Sequence, residues 1–231
     1  MRQSIYVTRE ALSHLFFQRC FYLCVLLLAL IVMAPYMDTL PRGILLRNIL
    51  NIFVILCAVA AVGRTHSSFI VVLCLAVPAL VFRILSFVKA EAQFFDLSLR
   101  MDVALYATAL ALLLHYVFGK EVMTGDRLWG AAASYLMVGL LWSFLFAIID
   151  RSVPGSFAVR GTSTSMDFTD LIYFSFSTLT TTGFGDIAPV SRSARIASVL
   201  EGIIGQLFLA ILIAKLVGVY PAPAESESAS P

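Results

Sequence analysis

The stretch TLTTTGFGDIAP, Thr178–Pro189, decides how this chain is read. It lies between two long apolar runs, yet it packs four threonines, two glycines and an aspartate into a dozen residues. An unpaired backbone N–H or C=O in hydrocarbon costs several kcal/mol, so lipid-exposed segments are normally helical. The rest of the chain puts that stretch in such surroundings. The 231 residues are 60% hydrophobic and 13% charged, with a mean hydropathy of +0.93. Soluble domains sit nearer about 45–50% apolar and about 25% charged. The chain reads as an integral membrane protein. A net charge of +2 without a Lys/Arg cluster gives no footing for nucleic acid. The four cysteines, Cys20, Cys24, Cys57 and Cys74, lie in apolar runs without metal-type spacing and read as small hydrophobes.

Working outward, apolar runs of roughly 18–20 residues mark spanning helices. Six are expected: Phe16–Met33, Ile44–Val62, Ser67–Phe87, Met101–Phe118, Leu128–Ile149 and Ala194–Val219. Short connections, such as GRTH at 63–66, suggest a compact antiparallel bundle. The start MRQSIYVTRE leads into the first run with no small-residue cleavage pattern, so that run is expected to stay as a helix. The interval 151–193 is the exception. It opens with the polar RSVPGSFAVRGTSTS and turns half-apolar at MDFTDLIYFSFSTLT, a piece too short to span. A re-entrant helix over 167–180 is expected, with Asp167 as N-cap and Asp170 in the first turn. Arg2, Arg9, Arg19, Arg64, Lys120 and Arg127 favour a cytoplasmic N-terminus, and an even helix count puts the C-terminus there too. Arg42, Lys89 and Arg100 weaken that bias. The tail PAPAESESASP has no periodicity and reads as disordered, and no soluble ligand domain is seen.

With that frame, the opening stretch acquires a chemistry. Non-helical backbone at membrane depth is tolerated where it is buried in protein or lines a water-filled path. A row of carbonyls facing such a path replaces the hydration shell of a dehydrated cation. Aiming successive carbonyls one way requires alternating backbone conformations with positive φ, which Gly183 and Gly185 adopt without a Cβ clash. Thr181 adds a hydroxyl acceptor. A neutral threonine–glycine backbone tells against the carboxylate cage expected for divalent ions.

Thr181-Thr182-Gly183-Phe184-Gly185-Asp186, between a short Ser/Thr-bearing helix and a long apolar one, resembles the selectivity filter of potassium channels, whose pattern is TVGYGD. Residues 125–219 resemble the pore domain of small bacterial six-transmembrane channels; the first four helices resemble them only in number and placement. The resemblance implies an all-α membrane protein with a re-entrant pore helix and filter loop between helices five and six, and a homotetrameric pore. It implies K+ coordination by Thr181, Thr182, Gly183 and Phe184, with Gly185 shaping the outer mouth. It places Asp186 behind the filter with Tyr173 as its donor, where relatives often carry Trp. Ser177 stands where some relatives have a glutamate. Gly205 falls at the gating-hinge position, and Gln206, Leu209 and Ile213 face the cavity.

The implied organisation is a four-helix domain over 1–118, an interfacial linker over 119–130, a pore domain over 131–219 and a tail over 220–231. A voltage sensor is not expected: each gating charge is worth about 2.3 kcal/mol per 100 mV, and MDVALYATALALLLHYVFG contains no Arg or Lys. Arg47 and Arg83 are isolated and are expected to snorkel or pair with a polar neighbour. Gly202 and Gly205 serve either as a hinge or for close packing. Glu201 is a carboxylate in a membrane helix, expected at a structural hydrogen bond to the pore helix. The function implied is passive K+ permeation across the cell membrane without strong voltage gating, gated either at the filter or at the hinge. Alternatives are a weakly selective monovalent cation channel, a non-conducting channel subunit, or a secondary K+ transporter, whose relatives thread four such repeats through one chain. Partners expected are further copies of the chain and membrane lipid. No enzyme is expected, because no nucleophile–base pair, metal cluster or phosphate loop occurs.

Overall fold

The computed structural model describes residues 19–39, 51, 53–54, 57–58, 66–89, 92–119, 124–159, 162–163 and 166–219. The described elements are α1 (Arg19–Thr39), α2 (His66–Lys89), α3 (Ala92–Val117), α4 (Gly125–Ser152), β1 (Phe157–Val159), β2 (Thr162–Ser163), α5 (Phe168–Leu179), β3 (Ile187–Pro189) and α6 (Arg192–Val219). Among the described residues, four stretches are long and apolar enough to cross a membrane: Arg19–Tyr36, Gln93–Val117, Gly125–Ser152 and Arg192–Lys215. α2 carries a shorter apolar stretch, Ile70–Phe82. These helices make the chain a membrane protein. Of the expected span Ile44–Val62 the structure describes residues 51, 53–54 and 57–58, and the tail 220–231 lies wholly outside the described residues.

α4 is the hub, packing against α1, α3, α5 and α6, while α2 packs on α3. Its sequence explains this. The run Gly130-Ala131-Ala132-Ala133-Ser134 has little side-chain bulk, so neighbouring backbones approach closely. A Cβ on Gly130 would lie 3.0 Å from Val117 of α3 and 3.4 Å from Cys20 Sγ of α1. Over half of the α4 span is buried (56%), against only 11% of the α6 span. Farther along, Phe146 of α4, Phe157 of β1 and Phe174 of α5 form a triangle of edge-on rings with centroids 5.1–5.6 Å apart. Each such pair is worth about 0.5–1.5 kcal/mol beyond its burial.

Helix ends need partners for their unpaired backbone groups, and one end of the bundle supplies them across elements. Asp126, in the first turn of α4, accepts from the Cys20 N–H at the start of α1 (3.0 Å) and from the Tyr116 hydroxyl of α3 (2.9 Å). Lys215, near the end of α6, donates to the Val117 and Gly119 carbonyls that finish α3, at 2.8 and 3.3 Å. Arg127 also reaches Gly119 O, at 3.4 Å. The interfacial linker expected over 119–130 runs into α4. Residues 125–130 are the first turns of α4, capped by Thr124, whose side chain accepts from the Arg127 N–H; 120–123 lie outside the described residues.

One further expectation changes. α3 begins at Ala92 rather than Met101, because the polar residues of its first turns find partners: Asp96 pairs with Arg151 of α4, whose guanidinium lies 4.8 Å over the Phe95 ring. Helices carry the fold, as expected, with one small sheet added to them. The polar segment after α4 forms a three-stranded antiparallel sheet in the order β2-β1-β3, with Ala158 opposite Ser163 and Ala188. β-prone Phe157 and Val159 pair with Pro189 and Ile187, and the Ser156 carbonyl accepts from the Val190 N–H at 2.8 Å. This sheet ties the far end of the Thr178–Pro189 stretch to the end of α4.

α6 runs unbroken through both glycines that raised the hinge question. A Cβ on Gly205 would sit 2.3 Å from the Leu179 carbonyl oxygen, whereas one on Gly202 would meet only Thr178 O, at 4.0 Å. Gly205 is therefore a packing position against the end of α5. Gly205→Ala is expected to cost about 1–3 kcal/mol through forced backbone movement, and Gly202→Ala is expected to be close to neutral. Thermal unfolding of the two variants in the same detergent checks the contrast. Equal midpoints would refute it.

Candidate functional site

α5 is a twelve-residue helix whose last-turn carbonyls are all accounted for. Asp167 occupies its N-cap position with extended backbone but makes no side-chain cap, and Asp170 lies in the first turn. At the other end the chain doubles back on itself. Phe176 O accepts from the Thr180 N–H (3.0 Å) and the Thr180 hydroxyl (2.7 Å); Ser177 O accepts from the N–H groups of Thr182 (2.9 Å) and Gly183 (3.1 Å). Thr178 O accepts from the Thr181 N–H at 2.9 Å, and Leu179 O from the Tyr135 hydroxyl of α4 at 3.2 Å. The N–H groups that follow α5 are thus spent on α5 itself.

Beyond that cap the backbone alternates. Thr181, Gly183 and Gly185 have φ of 57°, 55° and 78°, while Thr182 and Phe184 between them do not enter the positive range. Such alternation rotates every second peptide so that successive carbonyls share a side. Among the described residues, no hydrogen-bond donor reaches the carbonyl oxygens of Thr181, Thr182, Gly183 or Phe184. Residues 181–186 are exposed in the single chain. Nothing lies within 4 Å of where a Cβ would stand on Gly183 or Gly185, so their backbone conformation, not crowding, requires glycine there. Thr181 adopts the same conformation with a side chain, a strain of about 1–3 kcal/mol. Its hydroxyl offsets part of that by donating to Thr180 O (2.7 Å) and accepting from Gln206 Nε2 of α6 (3.1 Å). The Thr180 and Thr182 hydroxyls are 2.9 Å apart.

The far end of the stretch is held by a phenol. Tyr173 of α5 donates to Asp186, lying 3.1 Å from Oδ1 and 2.9 Å from Oδ2. Its ring stacks on Phe184 with centroids 6.0 Å apart and planes inclined by 11°. Ser177 joins through its carbonyl. Leu209 and Ile213 are exposed on α6; Leu209 borders an apolar crevice of about 500 Å³ shared with Trp129, Tyr135 and Phe208. Glu201 is fully buried and meets the Ser175 hydroxyl of α5, which also stands 2.7 Å from the Gly139 carbonyl of α4. Gly139 leaves room for the Phe176 ring, 2.6 Å from where its Cβ would be. Sequence reasoning did not single out Tyr135, Gly139 or Ser175. A lone glycine and a serine in apolar helices carry no signal until the facing element is known. Among the described residues, no cluster of three or more His, Cys, Asp or Glu side chains could hold a metal ion.

Comparison with known proteins bears on this segment alone. Neither curated proteins nor solved structures give a significant match to the chain. Residues 131–220 match the model of a family described as ion channel, taking in most of α4, the small sheet, α5, the Thr178–Pro189 stretch and α6. That part of the chain is similar to ion channels, and the match indicates ion-channel activity.

Proposed function

We propose that the chain is one subunit of a homotetrameric, K+-selective channel in the cell membrane. The observation that carries this reading is the run of carbonyls from Thr181 to Phe184, which no donor among the described residues reaches, on a backbone that alternates handedness at 181, 183 and 185. Oxygen dipoles without donors suit a cation that has shed its water, and a ring of four such strands surrounds it. K+ is the permeant substrate. Thr181, Thr182, Gly183 and Phe184 contribute carbonyls, and Gly185 turns the chain at the mouth. Asp186 keeps its charge off the ion path because Tyr173 holds it beside α5. In this reading α5 dips into the membrane and returns as the filter, with its partially negative C-terminal end toward the ion.

Two features support the homotetramer. α6 leaves Ile196, Val199, Ile203, Leu207, Ile211 and Val217 exposed, a face that neighbouring copies cover in part. The strand 181–185 is likewise exposed on one chain and incomplete as a coordination shell without others. α3 carries Arg100 near its start and no further Arg or Lys before Val117, so strong voltage gating is not part of the proposal.

Recordings from the purified chain in planar bilayers under asymmetric KCl and NaCl are expected to reverse near the K+ equilibrium potential. Equal K+ and Na+ currents would refute selectivity. Tyr173→Phe removes the donor to a charged acceptor, worth about 1.5–3 kcal/mol. Single-channel open probability is expected to fall by about tenfold or more, with the K+/Na+ preference retained. Unchanged open probability would show that Asp186 is held in some other way.

A further inference from the structure

Where α5 meets α4 and α6, three oxygens form a chain of contacts that one hydroxyl proton cannot satisfy. Ser175 Oγ is 2.7 Å from Gly139 O and in hydrogen-bond contact with Glu201 Oε1; Ser175 and Glu201 are both wholly buried. Gly139 O is a carbonyl and only accepts. If Glu201 were ionised, its Oε1 could only accept as well. The single Ser175 proton would then leave one of two close oxygens facing it lone pair to lone pair. Both contacts are satisfied together only if Glu201 supplies a proton of its own. Its O–H then donates to Ser175 Oγ, and Ser175 donates to Gly139 O.

The second carboxyl oxygen points the same way. Glu201 Oε2 has no hydrogen-bond partner among the described residues. A buried carboxylate left uncompensated on that side costs several kcal/mol, whereas the C=O of a neutral acid is a far milder orphan. Among the described residues no Lys, Arg or His pairs with Glu201. The titratable group that interacts with it is Tyr135 of α4, whose hydroxyl is engaged by Leu179 O. On α5 the facing group is Ser175, which does not titrate in water.

We propose that Glu201 is held as a neutral carboxylic acid whose proton seats α5 between α4 and α6, making it a positioning residue for the strand that α5 carries. Ser175 lies one turn before Leu179, so the same contact fixes the height at which Leu179 O meets Tyr135 and Gly205. The location of the proton does not depend on the channel reading; the consequence for conduction does.

Infrared difference spectroscopy of the full chain in lipid nanodiscs, parent minus Glu201→Gln at neutral pH, tests the proton. A protonated-carboxyl C=O band is expected in the parent and absent from the variant. Ser175→Ala, which takes away the acceptor, is expected to move that band to higher frequency. A difference spectrum containing only carboxylate bands overturns the proposal, as does a band unmoved by Ser175→Ala. Flux of K+ in liposomes tests the positioning role. Glu201→Gln keeps a donor for Ser175 and is expected to stay within about threefold of the parent, whereas Glu201→Leu has none and is expected to lose flux. Equal flux from both variants overturns the role. A parent without K+ flux would refute the channel reading and leave the spectroscopic result to decide the proton.

Discussion

The carbonyl of Leu179 is the contact on which the rest of the site depends. It ends α5, and it is met from one side by the Tyr135 hydroxyl and from the other by the bare backbone of Gly205. A side chain at 205 would push it away from α6 and disturb its bond with Tyr135. Every later residue of the stretch is measured from that point. Thr180 to Gly183 fold back onto the carbonyls just before it, and their N–H groups are used up in doing so. Among the described residues, no donor reaches the carbonyls of Thr181 to Phe184 that follow. The site starts from a well-satisfied helix end.

How much of this was legible in the sequence depended on where the deciding forces lie. The spans of α4, α5 and α6 were readable to within a few residues, because a long apolar run or a short one in a polar interval leaves few alternatives. Gly183 and Gly185 announced positive φ because glycine is the residue that adopts it without strain. Thr181 did not, since threonine resists that conformation and only the hydrogen bonds to Thr178, Thr180 and Gln206 hold it there. The small sheet escaped notice because strands of two or three residues are shorter than any period a pattern can show. Asp126 and Lys215 were equally silent: their acceptors and donors are the ends of helices far away in the chain, which no local window contains.

The polar groups inside this apolar bundle are placed with economy. Serines on α4 return their hydroxyls to their own helix, Ser134 to Gly130 O and Ser143 to Gly139 O, and so add no unpaired donor to the interior. Tyr106 reaches Asn51 at 2.7 Å, joining α3 to the segment between α1 and α2. Tyr135, Ser175, Asp126 and Lys215 also cross between elements, and they fix relative height. Apolar faces slide easily past one another, and a hydrogen bond at a defined depth stops them.

The shared helix ends have a consequence for modularity. Residues 131–220 can be recognised as a unit on sequence, which invites a cut near 120 to separate it from what precedes. Yet the first turn of α1 is capped by a carboxylate of α4, and the last turn of α3 by an ammonium of α6. The second half supplies both of these terminal caps to the first. A fusion that transplants either half alone would carry unpaired amides, carbonyls and charges to a membrane boundary where nothing in the new partner was shaped to receive them, so the boundary that similarity draws is not one that the physics of the fold respects.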